Sequence, residues 1–236
     1  MKPWSPAESM PREPMRTLQL QRLQETVSRA YERVPFYRRK LDESGLKPSD
    51  IQSLADLSRI PMTVKTDLRD QYPFGLMAVP QRDIVRYHAS SGTTGKPIVV
   101  GYTRHDMQVW TECCARMATA AGVTDADVAQ ICFGYGMFTG GFGLHYGLEK
   151  IGATVIPMSS GNTEKQIMIM QDYGSTALIS TPSYALYMSE VLHEQGVKKS
   201  DIKLKFGLFG AEGSTEEMRT QLENRWGIIA TENYGM

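Results

Sequence analysis

The sequence holds little from which to build a metal centre, a disulfide framework or a membrane anchor. Cysteine occurs three times, as Cys113, Cys114 and Cys132, and histidine four times. An odd cysteine count without metal-like spacing reads as reduced, buried thiols of a cytoplasmic protein. The adjacent Cys113 and Cys114 read as small buried side chains before they read as a redox pair. No apolar run approaches membrane-spanning length, and Met1-Lys2-Pro3-Trp4-Ser5-Pro6 lacks the apolar core of a secretory signal. Neither sign of charge dominates, because 26 basic and 26 acidic residues cancel. No global field therefore draws the chain to nucleic acid or to an anionic membrane. A GxGxxG turn between strand and helix, a Ser-His-Asp spacing and a His/Cys cluster are all missing. What remains is an ordinary globular composition, 41% hydrophobic and 22% charged over 236 residues, enough for one large domain or two small ones.

Against that plain background stands Ser90-Ser91-Gly92-Thr93-Thr94-Gly95-Lys96-Pro97. Its glycines let the backbone approach an anion, and four hydroxyls and a lysine add donors, so the segment suits phosphate. It is not a Walker A loop: the first glycine of that motif would fall on Ser90, and Pro97 stands where a Ser or Thr would hold magnesium. The flanks, Ile84 to His88 and Ile98 to Tyr102, are rich in β-branched and aromatic residues. They predict a strand, a mobile loop and a second strand, with no helix dipole beneath the phosphates.

Residues 1–80 read as a mainly helical region packed on the core. Four prolines predict an extended start through residue 16, and Leu18, Leu20, Leu23, Val27, Ala30, Tyr31 and Val34 then recur near a helical period. Short helices are expected at Phe36 to Leu41, from Ser49-Asp50 to Leu57, and from Thr63 to Tyr72. Residues 81–236 read as an incomplete α/β nucleotide- and acid-binding core. Thr103 and Asp106 form a capping box for a helix to about Ala121, with Trp110, Cys114 and Met117 on one face. Strands at Val128–Cys132, Ala153–Pro157, Ala177–Ser180, Lys203–Phe209 and Ile228–Thr231 then alternate with helices. One of those helices is capped at Thr163 with Gln166, another opens at Ser183, and another opens at Ser214 with Glu217. The fold class is α/β, a mostly parallel sheet flanked by helices.

Ligands of such sheets bind at the carboxyl ends of the strands. Three turns should meet there: Phe133 to Gly141, Gly210-Ala211-Glu212-Gly213, and Glu232 to Met236. Phe133, Tyr135 and Phe138 suit the walls of a flat apolar pocket or the core itself. Tyr234 could stack on a purine or cap the sheet edge. His88 and His145 are candidate polar contacts, though a structural role is the commoner fate of such a histidine.

These segments, together with His145-Tyr146-Gly147, Thr163-Glu164-Lys165-Gln166 and Thr181-Pro182-Ser183-Tyr184, resemble the adenylate-forming acyl-CoA synthetase superfamily, and within it the aryl-acetate ligases. The resemblance implies a two-step reaction. A carboxylate such as phenylacetate attacks the α-phosphate of ATP, with Mg²⁺ assisting, and coenzyme A then displaces AMP from the acyl-adenylate. It implies catalytic roles for Thr93, Thr94 and Lys96, and phosphate contacts from Ser90, Ser91, Gly92 and Gly95. Gly210, Ala211, Glu212, Tyr234 and Gly235 match nucleotide-binding positions, and Phe133, Tyr135, Phe138, Gly140 and Gly141 match acid-binding ones. No protein ligand for a metal is implied among the residues present.

Phe133 replaces an expected tyrosine, and Gly213 replaces a Pro-Trp-type continuation. The family pattern continues past Tyr234-Gly235 with a hydroxyl residue and a glutamate, and later with a small lysine-bearing domain. The expectation is therefore an N-terminal portion of a longer ligase, inactive by itself and lacking the C-terminal domain. Small-molecule partners are implied, and a homodimer is compatible with the resemblance. The competing expectations are a module that binds nucleotide or acyl-adenylate without catalysis, and an adenylate-forming enzyme with another acceptor.

Overall fold

The structure, a computed structural model, describes residues 3–90, 95–137 and 139–235. The chain divides into two compact units, Pro6–Met107 and Gln108–Met236, the latter joined by Met1–Ser5.

In the first unit, helix α1 (Arg12–Arg33) passes through Val34 into α2 (Pro35–Glu43), and short 3₁₀ turns link α2 to α3 (Lys65–Asp70). The extended start predicted through residue 16 gives way at Arg12, with Pro14 inside the first turn of α1. Proline is tolerated there because the N–H it lacks would have had no partner within the helix. Val27, Leu41, Leu46 and Ile51 form a small core, with Leu20, Leu23, Tyr31 and Ile60 against it. The helix predicted from Ser49 to Leu57 is instead two 3₁₀ turns, Pro48–Asp50 and Leu54–Arg59. Asp56 holds the second, accepting from the Ser53 amide at 2.9 Å and hydroxyl at 3.0 Å. Side-chain acceptors of this kind compete with regular helix at exposed turns.

Strands β1 (Ile84–Ala89) and β2 (Val99–Thr103) form an antiparallel pair with Ala89 opposite Val99. Among the described residues they form a two-stranded sheet of their own, in the same compact unit as these helices. Thr103 and Asp106 make the predicted capping box: the Thr103 amide donates to Asp106 at 2.8 Å and the Asp106 amide to Thr103 Oγ1 at 3.2 Å. Helix α4 (Arg104–Ala120) follows.

The second unit is built on five parallel strands: β3 (Val128–Ile131), β4 (Thr154–Pro157), β5 (Ala177–Ser180), β6 (Phe206–Gly210) and β7 (Ile229–Asn233). Their spatial order is β4-β3-β5-β6-β7. The first strand of the unit thus lies second in the sheet, and the winding direction reverses beside it, as in doubly wound α/β folds. Helices α5 (Gly140–Ile151), α6 (Thr163–Asp172), α7 (Pro182–Glu194) and α8 (Glu216–Trp226) make the crossovers.

The pleat sends alternate side chains to opposite cores. Ala129, Ile131, Ile179 and Leu208 pack with Ala115 and Ala118 of α4 and Leu144 and Leu148 of α5. Leu178, Phe209 and Ala230 pack with Ile167, Met170, Ala185, Met188, Leu222 and Trp226 from α6, α7 and α8. Every residue of β5 is buried, which is why its sequence is a short run rather than an apolar–polar alternation. Truncating Ile179 or Leu208, both fully buried, to alanine is worth about 2–5 kcal/mol.

Two caps differ from expectation. Thr163 does not cap α6; its hydroxyl pairs with Tyr184 Oη at 3.0 Å, and the N-cap is Asn162 in a left-handed conformation. Gln166 is drawn inward instead. It donates to the Ser159 carbonyl at 2.7 Å and accepts from Gln130 Nε2 at 2.8 Å. Thr215, not Ser214, caps α8 by accepting from the Met218 amide.

Candidate functional site: a cavity at the strand ends

A cavity of about 560 Å³ opens within the second unit, a size suited to a small organic ligand. One side is formed by strand ends: Leu208, Phe209, Gly210 and Ala211 at β6, and Asn233, Tyr234 and Gly235 at β7. The other is formed by Trp110, Cys113, Cys114 and Met117 of α4, with Gly140, Gly143 and Leu144 of α5. Phe133 and Thr139, from the turn between β3 and α5, complete it.

Local chemistry explains the strand-end side. A Cβ on Gly210 would meet the Asn233 carbonyl oxygen at 2.6 Å, so only glycine lets β6 and β7 close there. Asn233 Nδ2 donates to the Phe209 carbonyl at 3.3 Å and ties the same two ends. Ala211 follows at φ 70°, a left-handed conformation that costs a residue with a Cβ about 1 kcal/mol or more. Such strain turns the chain sharply past the cavity rim. Tyr234 is 87% exposed, with its ring free to meet a flat ligand.

The residues expected to bind acid separate into three groups. Phe133 and Gly140 line the cavity. Tyr135 turns aside: its hydroxyl lies 3.2 Å from His145 Nδ1, and His145 Nε2 lies 3.1 Å from Glu149. Burial pushes the Tyr135 phenol up to about 12, with the Cys132, Glu149 and Tyr146 charges adding to the shift, so it stays protonated. Gly141 lies beneath the Gly134 carbonyl, which a Cβ would approach to 3.1 Å. Phe138 lies outside the described residues.

The nucleotide-type residues also separate. Gly210, Ala211, Tyr234 and Gly235 line the cavity. Glu212 turns from it and accepts a 2.6 Å hydrogen bond from the Ser183 amide in the first turn of α7. In the first unit, Ser90 extends the β1–β2 pair, its amide donating to the Ile98 carbonyl at 3.0 Å while its Oγ accepts from the Ile98 amide at 2.9 Å. Gly95 sits at φ 133° with open space around it, and the Lys96 ammonium lies 5.4 Å from the Tyr72 ring centre. Ser91, Gly92, Thr93 and Thr94 lie outside the described residues. His88 is buried edge-on to Tyr102, with ring centres 5.5 Å apart.

Apart from Gly140, the α4–α5 side was not legible in the sequence. Trp110, Cys114 and Met117 were legible only as one stripe of a helix, which usually means core. The thiols are not all buried as expected: Cys113 is exposed and Cys114 half-buried, though burial and then Cys113 still push the Cys114 thiol up to about 12. A signal was available in the glycines of α5: Gly143 and Gly147 stand four apart on the face that meets α4.

No known protein-family profile matches the chain. Among curated proteins it is similar to the phenylacetate-coenzyme A ligase of Thermus thermophilus, 49% identical over 229 residues. It is likewise 49% identical over 232 residues to the phenylacetate-coenzyme A ligase of Escherichia coli. These matches cover 97% and 98% of this chain but only 52% and 53% of the relatives. The chain thus spans about half the length of the curated relatives it matches. Among solved structures, 2-hydroxyisobutyryl-CoA ligase in complex with 2-HIB-AMP and CoA superposes with a TM-score of 0.91 at 31% identity, over 96% of this chain and 50% of that one. An open conformation of that ligase gives 0.90 at 29% identity, again over 96% of this chain and 51% of that one. With its sheet order, its strand-end cavity and these matches along almost its whole length, the chain belongs to the phenylacetate-coenzyme A ligase family of adenylate-forming enzymes.

Proposed function

We propose that this chain supplies the acid- and nucleotide-binding part of a ligase that joins phenylacetate, or a similar aryl acid, to coenzyme A at the expense of ATP. The observation that carries the reading is the cavity, apolar on its helical side and backbone-rich at its strand ends, in a sequence 49% identical to phenylacetate-coenzyme A ligases. The acid's carboxylate oxygen forms a bond to the α-phosphorus of ATP as the bond to the bridging oxygen of pyrophosphate breaks. The coenzyme A thiol, losing its proton, then forms the thioester as AMP leaves.

Phe133 and the α4–α5 wall would hold the aryl ring out of water. Gly210, Ala211 and Gly235 would let the nucleotide approach the backbone, and Tyr234 offers a face for the adenine. The loop from Ser90 to Lys96 would orient and neutralise the β- and γ-phosphates, a task of positioning and electrostatic stabilisation. In this reading Thr93, Thr94 and Lys96 are the catalytic members of the loop. Glu212 acts through the shape of its turn, because its carboxylate is engaged by the Ser183 amide.

Magnesium would arrive with ATP. Among the described residues no group of three or more His, Cys, Asp or Glu side chains is placed to hold a metal ion. Among the described residues no helix is long and apolar enough to cross a membrane.

Pyrophosphate release from ATP in the presence of phenylacetate, with and without coenzyme A, tests the reading. It should be measured on this chain and on the product of the complete gene. Release that depends on phenylacetate in the complete product supports it, and release by this chain alone would show that these residues suffice. Nucleotide binding without release in either protein would favour a binding module instead, and another preferred acid would move the substrate assignment.

A further inference from the structure

Helix α4 meets α5 through glycine. A Cβ on Gly143 would lie 2.5 Å from Trp110 Nε1 and 2.6 Å from its Cε2 and Cζ2. The indole therefore rests directly on the α5 backbone, in space no other residue would leave. One turn further along, a Cβ on Gly147 would come within 2.5 Å of Cys114 Cβ and 2.8 Å of the Ala115 nitrogen. The two helices are also joined by an ion pair, Lys150 Nζ to Glu112 Oε2 at 2.9 Å, and Glu112 further accepts from the Trp4 indole at 3.3 Å. Trp110 has no room to retreat toward α5.

From this geometry we infer that Trp110, seated on Gly143, is the end wall that sets which acids fit, a specificity residue that rests on the ligase reading of the cavity. The strand-end side carries the backbone-rich groups suited to the nucleotide, so the acid's carboxylate must face that side and its ring must face α4 and α5. The distance from carboxylate to far ring edge is then limited by whatever stands opposite. Met117 can yield, being unbranched and flexible. An indole fixed on helix backbone cannot, because tightly packed aromatic rings move only with their surroundings. A short arylacetic acid fits in front of it, and each methylene added between ring and carboxylate drives the ring against the wall.

Saturation-transfer NMR titrations of the purified chain with phenylacetate, 3-phenylpropionate and 4-phenylbutyrate read this directly. The unsubstituted chain should lose about tenfold or more in affinity from the first acid to the third. Trp110→Leu should bring the three within about threefold of one another, and Trp110→Phe should keep most of the preference for phenylacetate. Gly143→Ala, which pushes the indole into the cavity, should weaken all three acids. Thermal melts and circular dichroism identify any variant that fails to fold; if Trp110→Leu does, Trp110→Met carries the same expectation. An unchanged ranking in a folded leucine or methionine variant overturns the inference, as does failure of the unsubstituted chain to bind any of the acids. The ligase reading is judged apart from this: acids that bind and rank as expected without pyrophosphate release in the complete gene product sink that reading alone. Release with an unshifted ranking in the Trp110 variants sinks the end wall alone.

Discussion

The Glu212 carboxylate and the Ser183 amide, 2.6 Å apart, join the turn after β6 to the first turn of α7. The amide is one of the donors a helix leaves without an internal partner, and a negative group there is favoured by the helix dipole. Glu212→Ala should lower stability by about 1 kcal/mol. Glu212→Gln, which keeps an acceptor, should lower it less. Urea denaturation of the three proteins checks the ranking; equal midpoints would mean that the contact contributes nothing.

A second prediction concerns the buried amides beneath the sheet. Gln130 Nε2 donates to Gln166 Oε1 at 2.8 Å and to the Gln166 carbonyl at 3.0 Å, while Ser175 Oγ donates to Gln130 Oε1 at 2.9 Å. All three residues are fully buried. Gln130→Leu removes the acceptor of the Ser175 hydroxyl and leaves the Cys132 thiol, 3.3 Å away, as the donor to Gln166 Oε1, and should cost about 2–3 kcal/mol. The double replacement with Gln166→Leu should cost less than the sum of the singles, with a coupling of about 1 kcal/mol or more in a denaturation cycle.

Asp127 sets a dependence on pH. Burial penalises its charge, yet donors from the Thr124 amide, the Thr176 hydroxyl and the Thr124 hydroxyl outweigh that, and with Lys205 they hold its carboxyl below the ordinary 3.8. A folded-state value below the unfolded one means that the charged form stabilises the fold. That contribution is complete above the ordinary value and drains away as pH falls through the lowered one. Asp127→Asn should therefore reduce stability at neutral pH, and the gap between the two proteins should close in acid. Melting curves from about pH 7 down to about pH 3 test it; a constant gap would deny the charge any part.

The thiols give a chemical test. Burial pushes both Cys114 and Cys132 up to about 12, so neither carries an appreciable thiolate near neutral pH, whereas Cys113 is exposed. Disulfide reagents attack thiolates they can reach. Ellman's reagent at about pH 8 should find one fast thiol in the native chain and all three after unfolding. Cys113→Ser should remove the fast phase; its survival would mean that Cys114 or Cys132 supplies it.

Periodicity in the sequence encodes most of the architecture. The run Ala177 to Ser180, fully buried, and the Thr103–Asp106 box are local signals that the chain obeys. Where local chemistry was ambiguous, tertiary partners decided. Thr163 and Gln166 spell a capping box, but Tyr184 takes the threonine and the Gln130 amide takes the glutamine. In the cavity, Phe133, Gly210, Ala211, Tyr234 and Gly235 followed from the rule that ligands gather at strand ends. The opposite wall did not, because Trp110 and Cys114 recur on α4 as any core stripe would. Only the pairing with Gly143 and Gly147 across a helix contact distinguishes them, and that contact is not written in a single helix's period.

The sheet presents two unlike faces. On one, α6, α7 and α8 close over Leu178 and Phe209, with the Trp226 indole donating to the Ala185 carbonyl at 3.0 Å. On the other, α4 and α5 share their contact surface with the cavity. Robustness and selectivity are thereby assigned to different populations of residues. A lineage could redraw the ligand-facing helices through successive substitutions while the far side keeps the domain folded, so new acid preferences can be explored without first acquiring a sturdier scaffold.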